Sequence, residues 1–228
     1  MDSILTKLFS EEFFSPIGLS IKIATVSGIV VIIIGTIIGK YFARNSFRGK
    51  ALVETIIMLP MVLPPTVVGF ILIVLFGRNS IAGDVIEWLF NQSIMFTWWA
   101  AVIAAVVVSF PLMYQSAKSA FQGVESDIEE AARLDGANEW KVFLYVSIPL
   151  ASRVLIAGSI LSFARALGEF GATLMFAGNI PGETQTIPTA IYIAIDSGEM
   201  TLAWMWVISI MIISFLMLLF IRTKETKG

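Results

Sequence analysis

The chain has 228 residues, of which 57% are hydrophobic and only 14% charged, with a net charge of −2. A soluble domain is roughly 45–50% apolar and about 25% charged, so this composition indicates a membrane protein and gives no reason to expect a nucleic-acid partner. With no cysteine and no histidine, the chain lacks thiolate nucleophiles, imidazole bases and the usual zinc ligands, which excludes most enzyme classes and most metal sites.

Five stretches are apolar enough to cross a bilayer. A transmembrane helix needs about 20 apolar residues to cover roughly 30 Å of hydrocarbon. Uncharged runs cover residues 23–39, 55–77, 88–117 and 200–221, and a fifth stretch, about Leu150 to Phe170, is apolar with charges near its ends. The run 184–195 is too short to span. The sequence therefore predicts an all-α integral membrane protein with about five core transmembrane helices.

The distribution of basic residues predicts the orientation. Cytoplasmic loops are enriched in Lys and Arg, and most of the basic residues fall on the side that holds the loop after span one, the loop after span three and the C-terminal tail. The N-terminus is therefore expected outside and the C-terminus in the cytoplasm. Residues 1–16 are expected to form an interfacial segment, residues 17–221 the transmembrane domain and residues 222–228 a cytoplasmic tail.

The longest polar-rich stretch, residues 129–150, lies between spans three and four and largely coincides with a loop of about residues 126–149. Ser126 and Glu129 have the spacing of a capping box, which predicts a helix beginning near residue 127. Gly136 can adopt the left-handed conformation that ends such a helix. A second short helix is expected to begin near Asn138, and Pro149 fits the first turn of the next span.

This loop should fold as a helix-turn-helix on the cytoplasmic face. Its apolar residues are expected to anchor it; they are Ile128, Leu134, Trp140 and Phe143. The alternative is a solvated connector, although connectors can be as short as a few residues and the whole connection between spans three and four is about thirty residues long.

The loop resembles the EAA loop of ABC importer permeases, a family with the type I importer permease fold. Residues 130–132 are EAA, Gly136 follows at the family's spacing, and residues 146–149 are VSIP where the family has I-x-L-P. In that family the loop forms coupling helices that dock on a separate ATP-binding subunit. The resemblance therefore implies contacts to such a subunit from Glu130, Ala131, Ala132, Gly136 and Trp140.

The ATP site is expected on that other polypeptide. No G-x-x-x-x-G-K-[ST] motif occurs in this chain, so ATP and Mg²⁺ should bind the partner. This chain is then expected to be no enzyme itself and to hold no cofactor or metal.

Other segments resemble the molybdate-type permease subunit. They are "MLPMVLPPTVVGF" (58–70), "FTWWAAVIAAVVVSFPLM" (96–113) and "SFARALGEFGATLMFAGNIPGETQTIP" (162–188). Sulfate-type permeases share "FARALGEFG", so a sulfate-type oxyanion permease is the alternative. The resemblance implies a multi-pass subunit of the cytoplasmic (inner) membrane, working as a homodimer. With an extracytoplasmic oxyanion-binding protein, it would move molybdate or tungstate by alternating access.

Two groups of residues are candidates for the translocation path or its gate. Pro64 and Pro65 interrupt span two, with Thr66 beside them, which indicates either a pore-lining kink or a kink that only shapes packing. Arg165 and Glu169 lie in or near the membrane at i, i+4 spacing. They could form a charged mouth for an anion, or a pair that holds two helices together.

Two further function classes are weighed against this interpretation. An ion-coupled secondary transporter usually carries acids or histidines deep in its helices, and apart from Glu169 the spans lack them. An intramembrane enzyme would need a catalytic constellation, and the sequence provides none.

Overall fold

The structure is a computed structural model that describes residues 11–78 and 80–225. Within those residues all regular elements are helices. They are α1 (Glu11–Arg44), α2 (Lys50–Val62), α3 (Pro65–Phe76), α4 (Ile81–Phe90), α5 (Trp98–Gln122), α6 (Ser126–Leu134), α7 (Glu139–Val142), α8 (Ile148–Leu167), α9 (Gly171–Ala177), α10 (Ile187–Asp196) and α11 (Met200–Glu225). A π-helical turn, Phe143–Ser147, joins α7 to α8.

Four helical stretches are long and apolar enough to span a membrane: α1, α5, Glu139–Leu167 and Met200–Leu219. The pair α2 and α3 passes the same test together but is bent by 117° at its break. If the bent pair counts as one span, the total is five, in agreement with the prediction. The predicted second span is thus broken sharply rather than gently kinked.

Two predicted span boundaries are wrong. The fourth span does not begin near Leu150, because α7, the π-helical turn and α8 run on as one helix from Glu139. In the π-helical turn the N–H of Ile148 donates to the carbonyl of Phe143, so the helix continues past the position where Pro149 predicted a start. The uncharged run 88–117 is also divided, because Asn91 adopts a left-handed φ of 54° that ends α4.

Helix α5 is the centre of the fold. Its alanines, including Ala101 and Ala105, are fully buried, and α1 and α8 pack against it. A Cβ at Gly39 would lie 2.5 Å from the Cβ of Ala117, so α1 approaches α5 at a distance that only glycine permits. By contrast, only 17% of the α11 span is buried, against 61% of α5. Helix α11 therefore lies at the periphery.

The start of α1 is attached to α10 and α11. Trp206 donates its indole N–H to the carbonyl of Phe13 at 3.0 Å, and the N–H of Ile187 donates to Ser20 Oγ at 2.8 Å. Residues 11–16 belong to the single helix α1 and are therefore continuous with the first span. Residues 1–10 and 226–228 lie outside the described residues, so the interfacial segment 1–16 and the tail 222–228 stay predictions.

Candidate functional site

The turn at the end of α6 has the geometry that the sequence predicts. Gly136 has a φ of +85°, and its N–H donates to the carbonyl of Arg133 at 3.0 Å. The N–H of Ala137 donates to the carbonyl of Ala132, also at 3.0 Å. These two bonds form a Schellman motif, in which a glycine satisfies the last carbonyls of a helix. Gly136 is thus confirmed as the residue that ends the first helix of the loop.

The second helix of the loop also begins as predicted. Asn138 accepts a hydrogen bond from the N–H of Lys141 through its side-chain oxygen at 2.9 Å, and α7 starts at the next residue. The predicted capping box at the start of α6 is wrong. The N-cap is Glu125, without a side-chain hydrogen bond, and Glu129 points inwards to other partners.

The loop exposes the residues that were expected to contact an ATP-binding subunit. Glu130, Ala131, Gly136 and Trp140 are exposed and Ala132 is half-buried. Two expected anchors, Ile128 and Leu134, are exposed as well, and Leu134 is 89% exposed. The anchor prediction therefore holds only for Phe143, which packs near Phe121 with ring centroids 6.0 Å apart. These exposed apolar side chains are available for contact with another molecule.

A buried ion cluster, which we define as Glu129, Lys40, Arg44 and Ser147, holds the loop to the spans. Glu129 is 2% exposed, and Lys40 contacts its carboxylate directly. Arg44 Nη2 lies 3.1 Å from the second carboxylate oxygen. Ser147 in the π-helical turn donates to Glu129 at 2.6 Å and accepts from Lys40 at 2.7 Å. The cluster joins α6 to α1 and to the start of α8.

The electrostatics of the cluster favour the ionised carboxylate. Burial alone raises the pKa of Glu129, but hydrogen bonds from Lys40, Ser147 and Arg44 outweigh it and lower the pKa to about 2. Glu129 is therefore charged at neutral pH. Sequence reasoning missed this residue, although Lys40 and Arg44, one turn apart at the end of the first span, were a signal for a buried carboxylate partner.

The break in the second span lies at the predicted prolines. Pro64 is extended, with φ −54° and ψ 137°, and Pro65 is in the first turn of α3. A proline at this position has no N–H to leave unsatisfied and presets the helical φ. Pro64, Pro65 and Thr66 are all exposed.

Arg165 and Glu169 form a pair, but not on one helix face. Helix α8 ends at Leu167, so Glu169 lies beyond it. Arg165 Nη1 donates to Glu169 at 2.7 Å, and the other carboxylate oxygen of Glu169 accepts from the N–H of Ala172 at 2.8 Å. Glu169 is 2% exposed and Arg165 33% exposed. The carboxylate therefore caps α9 while neutralising the arginine.

The two candidate path groups come together where α9 meets α3. A Cβ at Gly171 would lie 2.9 Å from the Cβ of Pro65. A Cβ at Gly69 would lie 2.6 Å from the Cβ of Met175 and 3.0 Å from the Cα of Ala172. The short helix α9, capped by Glu169, therefore rests directly on the helix that follows the proline break.

The polar motif "GNIPGETQTIP" is exposed at residues 180–183 and buried at Thr184 and Thr186. Thr184 Oγ accepts from the N–H of Ile180 at 2.9 Å. The carbonyl of Ile180 accepts from the N–H groups of Glu183, Thr184 and Gln185. Thr184 is fully buried, so the side chain is used to shape the loop rather than offered to a ligand.

The family of this chain follows from comparison with known proteins. The family described as "Binding-protein-dependent transport system inner membrane component" matches residues 31–225. The chain belongs to this family. The predicted resemblance to importer permeases is thereby confirmed, and the multi-pass membrane location with it.

Two relatives are similar to this chain over most of its length. The chain is 63% identical over 221 residues to the "Putative molybdenum transport system permease protein YvgM" of Bacillus subtilis (strain 168), covering 97% of each chain. It is 41% identical over 205 residues to the "Molybdenum transport system permease protein ModB" of Escherichia coli (strain K12), covering 89% of this chain and 90% of that protein.

The fold of this chain is similar to that of a solved structure of another protein. It is the "bacterial alginate ABC transporter in complex with alginate pentasaccharide-bound periplasmic protein", with a TM-score of 0.77, 14% identity, and coverage of 100% of this chain and 83% of that one. The likeness shows the ABC importer permease fold, as the sequence predicted.

Proposed function

We propose that this chain is the membrane-spanning subunit of an ATP-driven importer of molybdate, or of the similar tungstate. The observation that carries the proposal is the 126–149 loop, which exposes its EAA residues while Glu129 fixes it to two spans. The names of the two relatives support the substrate, because both belong to molybdenum transport systems and match nearly the whole chain.

The proposed complex contains further subunits. A separate subunit binds ATP and Mg²⁺ and docks on the exposed surface around Glu130 and Trp140, while this chain itself performs no catalysis. An extracytoplasmic binding protein delivers the oxyanion, and two copies of this chain enclose the path. The homodimer is supported by α2, which has no buried residue within the described chain. Its apolar surface is therefore available to a second copy.

The proposed orientation puts the 126–149 loop in the cytoplasm and the chain in the cytoplasmic membrane. Because the chain has no cysteine, single cysteines can be placed without background. A cysteine at Glu183, which is exposed, should react with an impermeant thiol reagent from outside, and one within 138–141 only from the cytoplasm. Reversed labelling contradicts this orientation.

The proposed mechanism is alternating access. ATP binding closes the partner subunits and displaces the 126–149 loop. Because Glu129 binds Lys40 on α1 and Ser147 at the start of α8, the displacement reaches both spans together. In this mechanism helix α9, the proline break at Pro64 and Thr66, and Arg165 at the end of α8 lie along the path and move with the spans to open it.

Docking is tested with two matched glutamates. Glu130 and Glu183 are both exposed, but only Glu130 lies in the 126–149 loop. Glu130→Lys should lose co-purification of the ATP-binding subunit, or lose uptake while ATP is still hydrolysed, and this loss should depend on salt concentration more strongly than the loss caused by Gly136→Val. Glu183→Lys should keep both. If both variants behave like the unchanged chain, the loop is only a connector.

The substrate is tested by competition. Vesicles holding the complete complex should take up labelled molybdate, and unlabelled tungstate should compete with it far better than sulfate. Preferential uptake of sulfate contradicts the molybdate assignment while leaving the permease assignment intact.

A further inference from the structure

A cleft opens between the end of α1 and the 126–149 loop. Its volume is about 450 Å³. From α1 it is lined by Ile37, Lys40, Tyr41 and Arg44, and from the other side by the loop, with Arg133 in α6 and Trp140 in α7. The cleft therefore combines a basic floor with an apolar and aromatic wall.

The α1 side of the cleft is basic. Three cations, Lys40, Arg44 and Arg133, face two carboxylates, the buried Glu129 and the exposed Glu139, which binds Arg133 at 2.7 Å. Within the described residues, Arg44 binds Glu129 and the carbonyl of Val124 through Nη2. The rest of its guanidinium fork is available to an anion.

An apolar stripe leads from the membrane-spanning part of α1 into the same cleft. Ile29, Ile33, Ile37 and Tyr41 recur every four residues and are each about half exposed, between 49% and 54%. Neighbours in this series are adjacent on the helix surface, so the four side chains form a stripe that winds slowly around α1. At 1.5 Å per residue the stripe is about 18 Å long, comparable to one leaflet of the hydrocarbon core. Tyr41 and Trp140 lie at the basic end, as interfacial aromatics do.

We propose that this cleft binds one anionic phospholipid, with the phosphate on Arg44 and Lys40 and an acyl chain along the α1 stripe. A phosphodiester carries one negative charge, which suits a cleft lined by three cations and one carboxylate. Basic pockets between helices at a membrane surface bind such headgroups. The inference requires only that this end of α1 lies at a membrane surface, so it stands or falls separately from the transported substrate.

The test is native mass spectrometry of the purified complex with its ATP-binding subunit. The complex is titrated with phosphatidylglycerol, and with phosphatidylcholine of the same acyl chains. We expect one phosphatidylglycerol per copy of this chain, held at least fivefold more tightly than phosphatidylcholine. Millimolar inorganic phosphate should not displace it, because free phosphate cannot use the stripe.

Two matched substitutions locate the site. Tyr41→Glu puts a carboxylate beside Lys40 and Arg44 and should weaken phosphatidylglycerol binding about fivefold or more. Tyr145→Glu makes the same change at a residue that is 75% exposed and outside the cleft lining, and should leave binding within about twofold.

The proposal fails on any of several results. Equal binding of phosphatidylcholine would indicate ordinary annular lipid, and displacement by phosphate would indicate a free-anion site. Equal effects of the two tyrosine substitutions would indicate a general surface charge. Binding seen only after the ATP-binding subunit is removed would assign the cleft to protein docking. Should Tyr41→Glu fail to fold, the comparison of the two lipids and phosphate on the unchanged chain still decides.

Discussion

Replacing Glu129 by glutamine should destabilise the chain far more than the same change at its neighbour Glu130. Glutamine keeps the size of the side chain but leaves Lys40 and Arg44 facing a neutral group in a site that is 2% exposed. The perturbation therefore removes one charge from a buried ion cluster and little else.

The magnitude follows from the pKa of Glu129. Its fall from an ordinary 4.5 to about 2 corresponds to about 3 kcal/mol in favour of the charged form, at about 1.4 kcal/mol for each pKa unit. Breaking a buried ion pair by removing one partner costs about 3–5 kcal/mol, which is consistent. For a chain of this size, about 3 kcal/mol lowers the melting temperature by roughly 6–12 °C.

The assay is thermal unfolding of the purified chain, followed by tryptophan fluorescence, for Glu129→Gln and Glu130→Gln side by side. Glu130 is exposed, so its variant should melt within about 2 °C of the unchanged chain. The Glu129→Gln loss should be smaller when Lys40→Met is present, because the two residues interact directly. Equal melting temperatures for the two glutamine variants would refute the buried cluster as a source of stability.

Three further predictions concern Gly69, Gly136 and the pH dependence of the Glu129 cluster. Gly69→Ala should destabilise the chain by about 1–3 kcal/mol, because the added Cβ would overlap Met175 in α9. Gly18→Ala is the control, since no atom lies within 4 Å of its added Cβ, and it should not destabilise the chain. Thermal unfolding of both variants measures the difference. Gly136→Val places a β-branched residue at φ +85°, at a cost of about 1–3 kcal/mol, and should abolish co-purification of the ATP-binding subunit while the spans still insert. Because the pKa of Glu129 is lowered, the ionised carboxylate stabilises the folded chain above pH 4.5, and this stabilisation is lost as the pH falls towards 2. On acidification the melting temperature of the unchanged chain should therefore fall further than that of Glu129→Gln.

Local chemistry predicted the loop well. Gly136 and Asn138 act through bonds to residues three to five positions away, so the signals for a Schellman turn and an N-cap are present in the sequence itself. The same holds for the proline break at Pro64, whose position follows from the missing N–H. The angle of 117° does not follow from the missing N–H, and α3 also makes close contacts to residues of α9 that lie more than 100 positions away in the sequence.

Glu129 shows why the rest of the site was not predicted. Its local spacing to Ser126 is that of a capping box, but its partners Lys40 and Ser147 lie 89 and 18 positions away. The ion pairs of Glu129 with Lys40 and Arg44 are stronger than a single hydrogen bond to the backbone at the helix start. The packing of α1 against the loop brings these two cations within reach of the carboxylate. Glu169 was misplaced for a related reason, since the end of α8 at Leu167 takes it off the helix and lets it cap α9.

Uptake into sealed vesicles under different energy sources tests the central claim most directly. The complete complex, with its binding protein outside and ATP at the cytoplasmic face, should accumulate labelled molybdate. Accumulation should stop when ATP is replaced by a non-hydrolysable analogue or when the binding protein is omitted. Molybdate uptake driven by a proton or sodium gradient, with no nucleotide present, would contradict the assignment of this chain to an ATP-driven importer.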